Sequence, residues 1–182
     1  MPRTLVDTRP YPSGVGSATI DDVSEDSVDF AVVAYREEGV WQVQPLPHRV
    51  AAGGLGELVS ALRPWPAESG SLGLVSIDED FFVLVRVQGR DVRALLSDVT
   101  AAADWPLAAA VMELLDLPDP DDEEDAQPAG QLDIVADLGM SAMDMAVLCD
   151  DPDLYPDEML ADVAHRLGFG GEFEGVLEGA SV

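Results

Sequence analysis

Hydrolysis or group transfer on a protein needs a nucleophile, a base within hydrogen-bonding reach of it, and a third group that orients the base. The sequence offers few side chains for these roles: two histidines, His48 and His165, and a single cysteine, Cys149. His48 stands between Pro47 and Arg49, and His165 falls on the exposed side of the periodic stretch 156–167. Cys149 shares an apolar helical face with Met145 and Leu148, which predicts a buried structural thiol and not a reactive one. A His/Cys/Cys zinc centre requires H-x-E followed by P-C-x-x-C, because three ligands must leave one position open for an activated water. One cysteine and no H-x-E cannot build it. No catalytic residue, cofactor or metal ligand is assigned.

Carboxylates are the other abundant reactive group. Asp119, Asp121, Asp122, Glu123, Glu124 and Asp125 form one cluster, and Asp150, Asp151, Asp153 and Asp157 a second. A calcium loop of the EF-hand type needs alternating oxygen ligands, a glycine at its sixth position and a glutamate at its twelfth, and neither cluster has them. Solvated charge is the expected state of both. Gly53, Gly54 and Gly56 precede a helical pattern, but without the strand and GxxxxGK[ST] context of a phosphate loop they predict only a loop. Of the three tryptophans, Trp41 alternates with Val43 and reads as core. Trp65, between Pro64 and Pro66, and Trp105, before Pro106, are candidates for a contact surface, since tryptophan serves both as core filler and as interface anchor.

Charge restricts the partners. With 36 acidic and 9 basic residues the net charge is −27, and every basic residue is Arg. The arginines, at 3, 9, 36, 49, 63, 86, 90, 93 and 166, form no basic patch able to hold a phosphate backbone, so direct nucleic-acid binding is not expected. A lone cysteine allows no internal disulfide, and no charged-then-apolar leader opens the sequence; together these predict a cytoplasmic protein. The longest apolar runs, such as Phe81 to Val85, are too short to span a bilayer.

The elements that would display these residues follow from hydrophobic periodicity. Residues 1–27 combine Pro2, Pro10, Pro12, Gly14 and Gly16 with acids and no apolar period, and read as a mobile arm. From 28 to 115 the pattern predicts an α+β domain. A hairpin covers 29–46 with its turn at Glu38-Gly39, further strands cover 72–77, 81–87 and 92–96, and helices start near Leu55 and Pro106. The expected result is about five mainly antiparallel strands with helices on one face. Residues 116–130, with seven carboxylates and Pro118, Pro120 and Pro128, read as an acidic linker. Residues 131–182 then form a small helical region, with short helices over 132–138, 141–149 and 156–167 and a stop at Gly168 and Gly170. Residues 116–182 hold 19 acids and one Arg, a net of −18, against −6 for residues 28–115 with 12 acids and six Arg.

Four stretches, SIDEDFFVLVRV at 76–87, LLSDVTAAADWPLA at 95–108, PAGQLDIVADLG at 128–139 and DLYPDEMLADVAHRLGFG at 153–170, together resemble the actinobacterial tRNA adenosine deaminase-associated proteins. The likeness runs over about residues 28–175 and includes the acidic linker. The family is named for genes beside a tRNA-specific adenosine deaminase, so the resemblance implies association with that enzyme's pathway and transfers no catalytic residue. The reading that results is a non-catalytic accessory protein with a protein partner, for which the deaminase is the candidate. Trp65, Trp105 and the acids at 119, 121, 122, 123, 124 and 125 are its candidate contact residues. The alternative is a small-ligand protein or enzyme with its site between the sheet domain and the helical region. The charge balance makes one direct prediction: at physiological salt the isolated protein should not retard tRNA in a native gel, and a saturable shift at micromolar protein would contradict it.

Overall fold

The computed structural model describes residues 25–65 and 69–180; most of the N-terminal arm, residues 1–24, lies outside them. Glu25–Ser27 form a 3₁₀ turn, and the Ser27 carbonyl accepts the Asp78 N–H at 2.7 Å, so this end of the expected arm is tied to the sheet. The strands expected from the pattern are present as β1 (Val28–Glu37), β2 (Val40–Pro45), β3 (Ser71–Ile77), β4 (Phe81–Gln88) and β5 (Asp91–Leu96). All neighbours are antiparallel, in the order β2-β1-β3-β4-β5-β6. The sixth strand, β6, is the pair Ala129–Gly130, inside the stretch read as linker.

Both faces of the sheet are covered, where the periodicity predicted helices on one. β3 and β4 are buried at nearly every position, alternating between two separate apolar layers. On the first face Val33, Val75, Val83, Val85 and Leu96 meet Leu58 and Leu62 of α2 (Leu55–Leu62) and Val111 and Met112 of α3 (Pro106–Leu114). A short helix α1 (Arg49–Ala52) precedes α2. On the second face Val32, Leu74, Phe82, Leu84 and Leu95 meet Ile134, Met145, Leu160, Val163, Phe169 and Phe173. These come from α4 (Ala142–Cys149), α5 (Pro156–Leu167), α6 (Gly170–Ala180) and the turns before them. Residues 132–138, expected as a helix, contain only a 3₁₀ turn at Ala136–Leu138.

The chain changes face by passing round the β5 edge. Val99 N–H donates to the Gln127 carbonyl at 2.8 Å, Ala129 and Gly130 pair with Leu96 and Leu95, and Gln131 then bonds Ala94 through both its backbone N–H and its side-chain oxygen. Gly130 has φ 114°, and a Cβ there would run into the Ala94 carbonyl, so only glycine lets the crossing lie this close to the edge. At the far end of α5, Gly168 takes the left-handed C-cap conformation (φ 103°), and the following Phe169 N–H returns to the Ala164 carbonyl at 2.8 Å. The helix ends there as expected, and the chain resumes as α6 from Gly170.

Two polar contacts fasten the second layer. Trp41 on β2 donates its indole N–H to the Leu167 carbonyl at 3.0 Å and packs on Phe169 at 4.7 Å between centroids. Arg86 on β4, 3% exposed, points into the same layer and uses all five guanidinium hydrogens. It donates to the Ser69 carbonyl from Nε (3.1 Å) and Nη2 (2.7 Å), to the Ile134 carbonyl from Nη1 (2.9 Å), and to both oxygens of Asp137 (2.5 and 2.8 Å). The hydrogen bond from Arg86 holds the Asp137 carboxyl below the usual carboxylate range. Asp137 is itself 60% exposed, so removing it costs less than opening a fully buried pair. Asp137→Ala should lower the unfolding free energy by about 2 kcal/mol in urea melts. A folded pKa below the unfolded value means this stabilisation is full above the ordinary 3.8 and is lost as pH falls through the lower, folded value. The gap between wild type and variant should therefore close in strong acid, and a gap constant across pH would show that Asp137 acts through packing alone.

Candidate protein-binding surface

The contact residues expected from the sequence do not form one patch. Trp65 follows α2 and lies on Tyr35 at 5.2 Å between ring centroids, whereas Trp105 heads α3 and packs against Phe81 at 5.9 Å. Both tryptophans are half-buried against the first apolar layer. The strand register sets Tyr35, next to Ala34 and its partner Leu72, at one end of the sheet, and Phe81, paired with Ile77, at the other. Each tryptophan thus closes an opposite end of the same core layer and leaves only part of its ring to solvent. Trp65 also lines a cavity of ≈ 260 Å³ with Arg63, Gly70, Ser71, Val87, Gln88 and Gly89.

The acids at 119, 121, 122, 123 and 125 are exposed and Glu124 is half-buried. Glu124 organises the run locally: its N–H donates to the Asp121 carbonyl at 3.0 Å, and its carboxylate accepts from the Asp121 N–H at 3.2 Å and the Gln127 amide at 3.0 Å. Negative charge continues around this end of the sheet in residues the sequence reading passed over. The β3–β4 turn places Asp78 and Glu79 at φ 53° and 51°, a costly region for residues with a Cβ, and the Asp29 carboxylate steadies it by accepting the Glu79 N–H at 2.8 Å. Asp80 follows. Its carboxyl is pushed above the usual range, first by partial burial and then by the charges of Asp98, Asp78 and Asp104. Like charges gathered this way weaken the fold near neutral pH and are relieved by protonation or by a cationic partner. The signal in the sequence was present in Asp78-Glu79-Asp80, but only the fold brings Asp98 and Asp104 beside it.

At the junction of sheet and helical layer, Asp80, Ser97, Asp98, Gln127, Cys149 and Met159 help to line a cavity of ≈ 130 Å³. It lies where the alternative ligand site was expected and is well below the ~300 Å³ at which small-molecule pockets usually begin. His48 is exposed at the head of α1, and His165 faces Glu174 of α6 with Nε2 3.2 Å from Oε1. Among the described residues no three His, Cys, Asp or Glu side chains are grouped to hold a metal ion, and no helix is long and apolar enough to cross a membrane.

The fold and its surface define an acidic α+β protein whose charge, not a pocket, is its most developed external feature. A family model of the Rv3753c-like tRNA adenosine deaminase-associated proteins matches residues 29–170. Protein Rv3753c of Mycobacterium tuberculosis is 36% identical over 169 residues, spanning 91% of this chain and 97% of the relative. No solved structure matches. The chain belongs to the Rv3753c-like tRNA adenosine deaminase-associated protein family.

Cys149 is where the site chemistry is most easily checked. Burial, reinforced by the charge of Asp150, pushes its thiol up to about 12. At pH 8 the folded protein should react with a thiol-specific disulfide reagent far more slowly than the same protein in guanidinium chloride, where the ordinary pKa near 9.0 returns. Equal rates in both would mean that the thiol is not shielded by the fold.

Proposed function

We propose that this chain is a non-catalytic accessory protein of the cytoplasm that binds a tRNA-specific adenosine deaminase. Membership of a family named for association with that enzyme is the observation that carries the reading. It is supported by the absence of a nucleophile and base pair in the sequence, and by the concentration of net −18 in residues 116–182. Any enzyme that binds tRNA must display a basic surface to the phosphates. The acidic run Asp119, Asp121, Asp122, Glu123, Glu124 and Asp125, with the nearby Asp78, Asp80, Asp98 and Asp104, is complementary in sign to such a surface. Long-range attraction would speed encounter, and occupation of the basic face would compete with tRNA. Trp65 and Trp105 would add short-range contact from opposite ends of the first sheet face, and only to a partner large enough to reach both.

The test is kinetic. Purified deaminase and this protein are mixed at about 0.05 M and 0.3 M salt, with and without tRNA, and followed by surface-based kinetics. Association should slow with salt and be inhibited by tRNA. Changing the six acids of the 119–125 run to Asn or Gln should lower the association rate by about tenfold at low salt while altering dissociation little. Failure to bind under every condition would remove the partner assignment. Binding indifferent to salt and tRNA would leave the partner and remove the electrostatic competition.

A further inference from the structure

Helices α4 and α5 form an antiparallel hairpin on the outside of the second apolar layer. Asp144, at the start of α4, lies 3.9 Å from Arg166 near the end of α5. Each helix is committed to the core on one side only: Met145 and Leu148 from α4, and Met159, Leu160, Val163, Ala164 and Leu167 from α5. The outward side of α5 is polar, with Asp157, Glu158, Asp162, His165 and Arg166, but that of α4 is not, where an outer helix face ordinarily would be. Met143 (77% exposed) and Val147 (67%) stand one turn apart on α4, and Tyr155 (61%) stands at the head of α5. Between the helices runs an open groove of ≈ 400 Å³ whose apolar lining includes Val147, Leu148, Leu154 and Ala161. Among the described residues Val40, Leu114 and Leu117 are also exposed, but Met143, Val147 and Tyr155 are the most exposed of the large apolar side chains and all belong to this hairpin.

The groove is edged with carboxylates. Asp151, Glu158 and Asp162 line it, and the one guanidinium there, Arg166, is already engaged, donating from Nε to Asp162 at 2.8 Å and lying close to Asp144. His165, also on the edge, faces Glu174. The field over the groove is therefore negative. Such a surface repels phosphates and anionic lipid, and it repels a second copy of itself, because an isologous pairing would oppose the same acids. It suits an apolar segment flanked by cations. The lining residues of α5 run from Glu158 to Arg166, which gives the groove a length of about 12 Å, enough for roughly two turns of a docked helix.

We propose that the α4–α5 groove seats an amphipathic helix of a partner protein, one that presents an apolar stripe at i, i+3/i+4 and i+7 between rows of Lys or Arg. This deepens the accessory role proposed above by giving the partner a second, short-range seat away from the acidic 119–125 run. Val147, Leu148, Leu154 and Ala161 supply the apolar contact in the groove, Met143 extends it one turn along α4 from Val147, and Asp151 and Glu158 meet the basic rows.

The experiment follows backbone amide shifts of the full-length, ¹⁵N-labelled protein titrated with two probes. One is the purified tRNA-specific adenosine deaminase. The other is a synthetic Leu/Lys amphipathic helical peptide, with a Leu/Glu peptide of the same apolar stripe as control. The expected result is that deaminase and basic peptide both perturb residues 143–166 and that the acidic peptide does not. Val147→Asp, an exposed position whose change should leave the melting temperature unaltered, should weaken peptide binding by about tenfold or more. Asp151→Asn with Glu158→Gln, which keep their oxygen acceptors for the Asp153 and Tyr155 N–H groups, should weaken it by a smaller factor and flatten its salt dependence. Deaminase binding that perturbs only other residues would overturn the groove and leave the accessory reading intact. Peptide binding in the groove with no deaminase binding would uphold the groove and remove the deaminase as partner. Failure of both probes would overturn both. Perturbation of the same amides on self-association, or on deleting residues 1–24, would assign the groove to a second copy or to this chain's own arm and overturn the proposal.

Discussion

Arg86 is the residue on which the second half of the molecule depends. A guanidinium cannot be deprotonated to escape burial, so its transfer into a layer of Leu, Phe and Met side chains is tolerable only if each N–H finds an acceptor. Three separate stretches converge to supply them: the carbonyl of Ser69 before β3, the carbonyl of Ile134 beyond the crossing, and the carboxylate of Asp137 on the 3₁₀ turn. Asp137 is held ionised by the same contact. The geometry is demanding because the fork is planar and rigid, so the path of residues 130–140 over the sheet is set by where Arg86 can reach. Arg93 repeats the device nearer solvent, donating to Asp133 at 2.8 Å.

With that layer in place the sheet becomes a partition between two apolar cores. β3 and β4 contribute to both, and the outer β2 is recruited through Trp41, whose ring sits between Arg36 at 5.2 Å and Phe169. The crossing at Gly130 therefore joins two layers of one body through a shared sheet. An acidic segment that would read as a tether is anchored at both ends, by α3 on one side and by the ladder to β5 on the other. Its charges are consequently displayed at a defined place on the surface.

The distribution of charge has a cost the protein must bear. A net of −27 disfavours the compact state by self-repulsion, and the charges of Asp98, Asp78 and Asp104 add locally to the partial burial that raises the Asp80 carboxyl. A fold that keeps such a surface, half-buries its one thiol and leaves apolar side chains exposed on the α4–α5 hairpin has its most developed features on the outside, in sign and shape.

Much of this was legible in the residues. The apolar run FAVVAY located β1, period-two alternation located β2, Pro106 and the apolar spacing after it located α3, and the glycine at 168 closed α5, because these signals depend on near neighbours along the chain. The continuous apolar runs of β3 and β4 also meant two covered faces, although they were read with helices on one side only. β6 was missed because two residues carry no period, and its pairing is specified by the Ala94–Leu96 edge it lies against. The candidate site divided in the same way. Acidity at 119–125 is a property of composition, and the sequence determined it alone. That Trp65 and Trp105 close opposite ends of one core, that Asp98 and Asp104 stand beside Asp80, and that Met143 and Val147 are left outside was decided only by tertiary structure. Which side of a side chain faces water depends on what packs across from it, and the packing partners are distant in the chain.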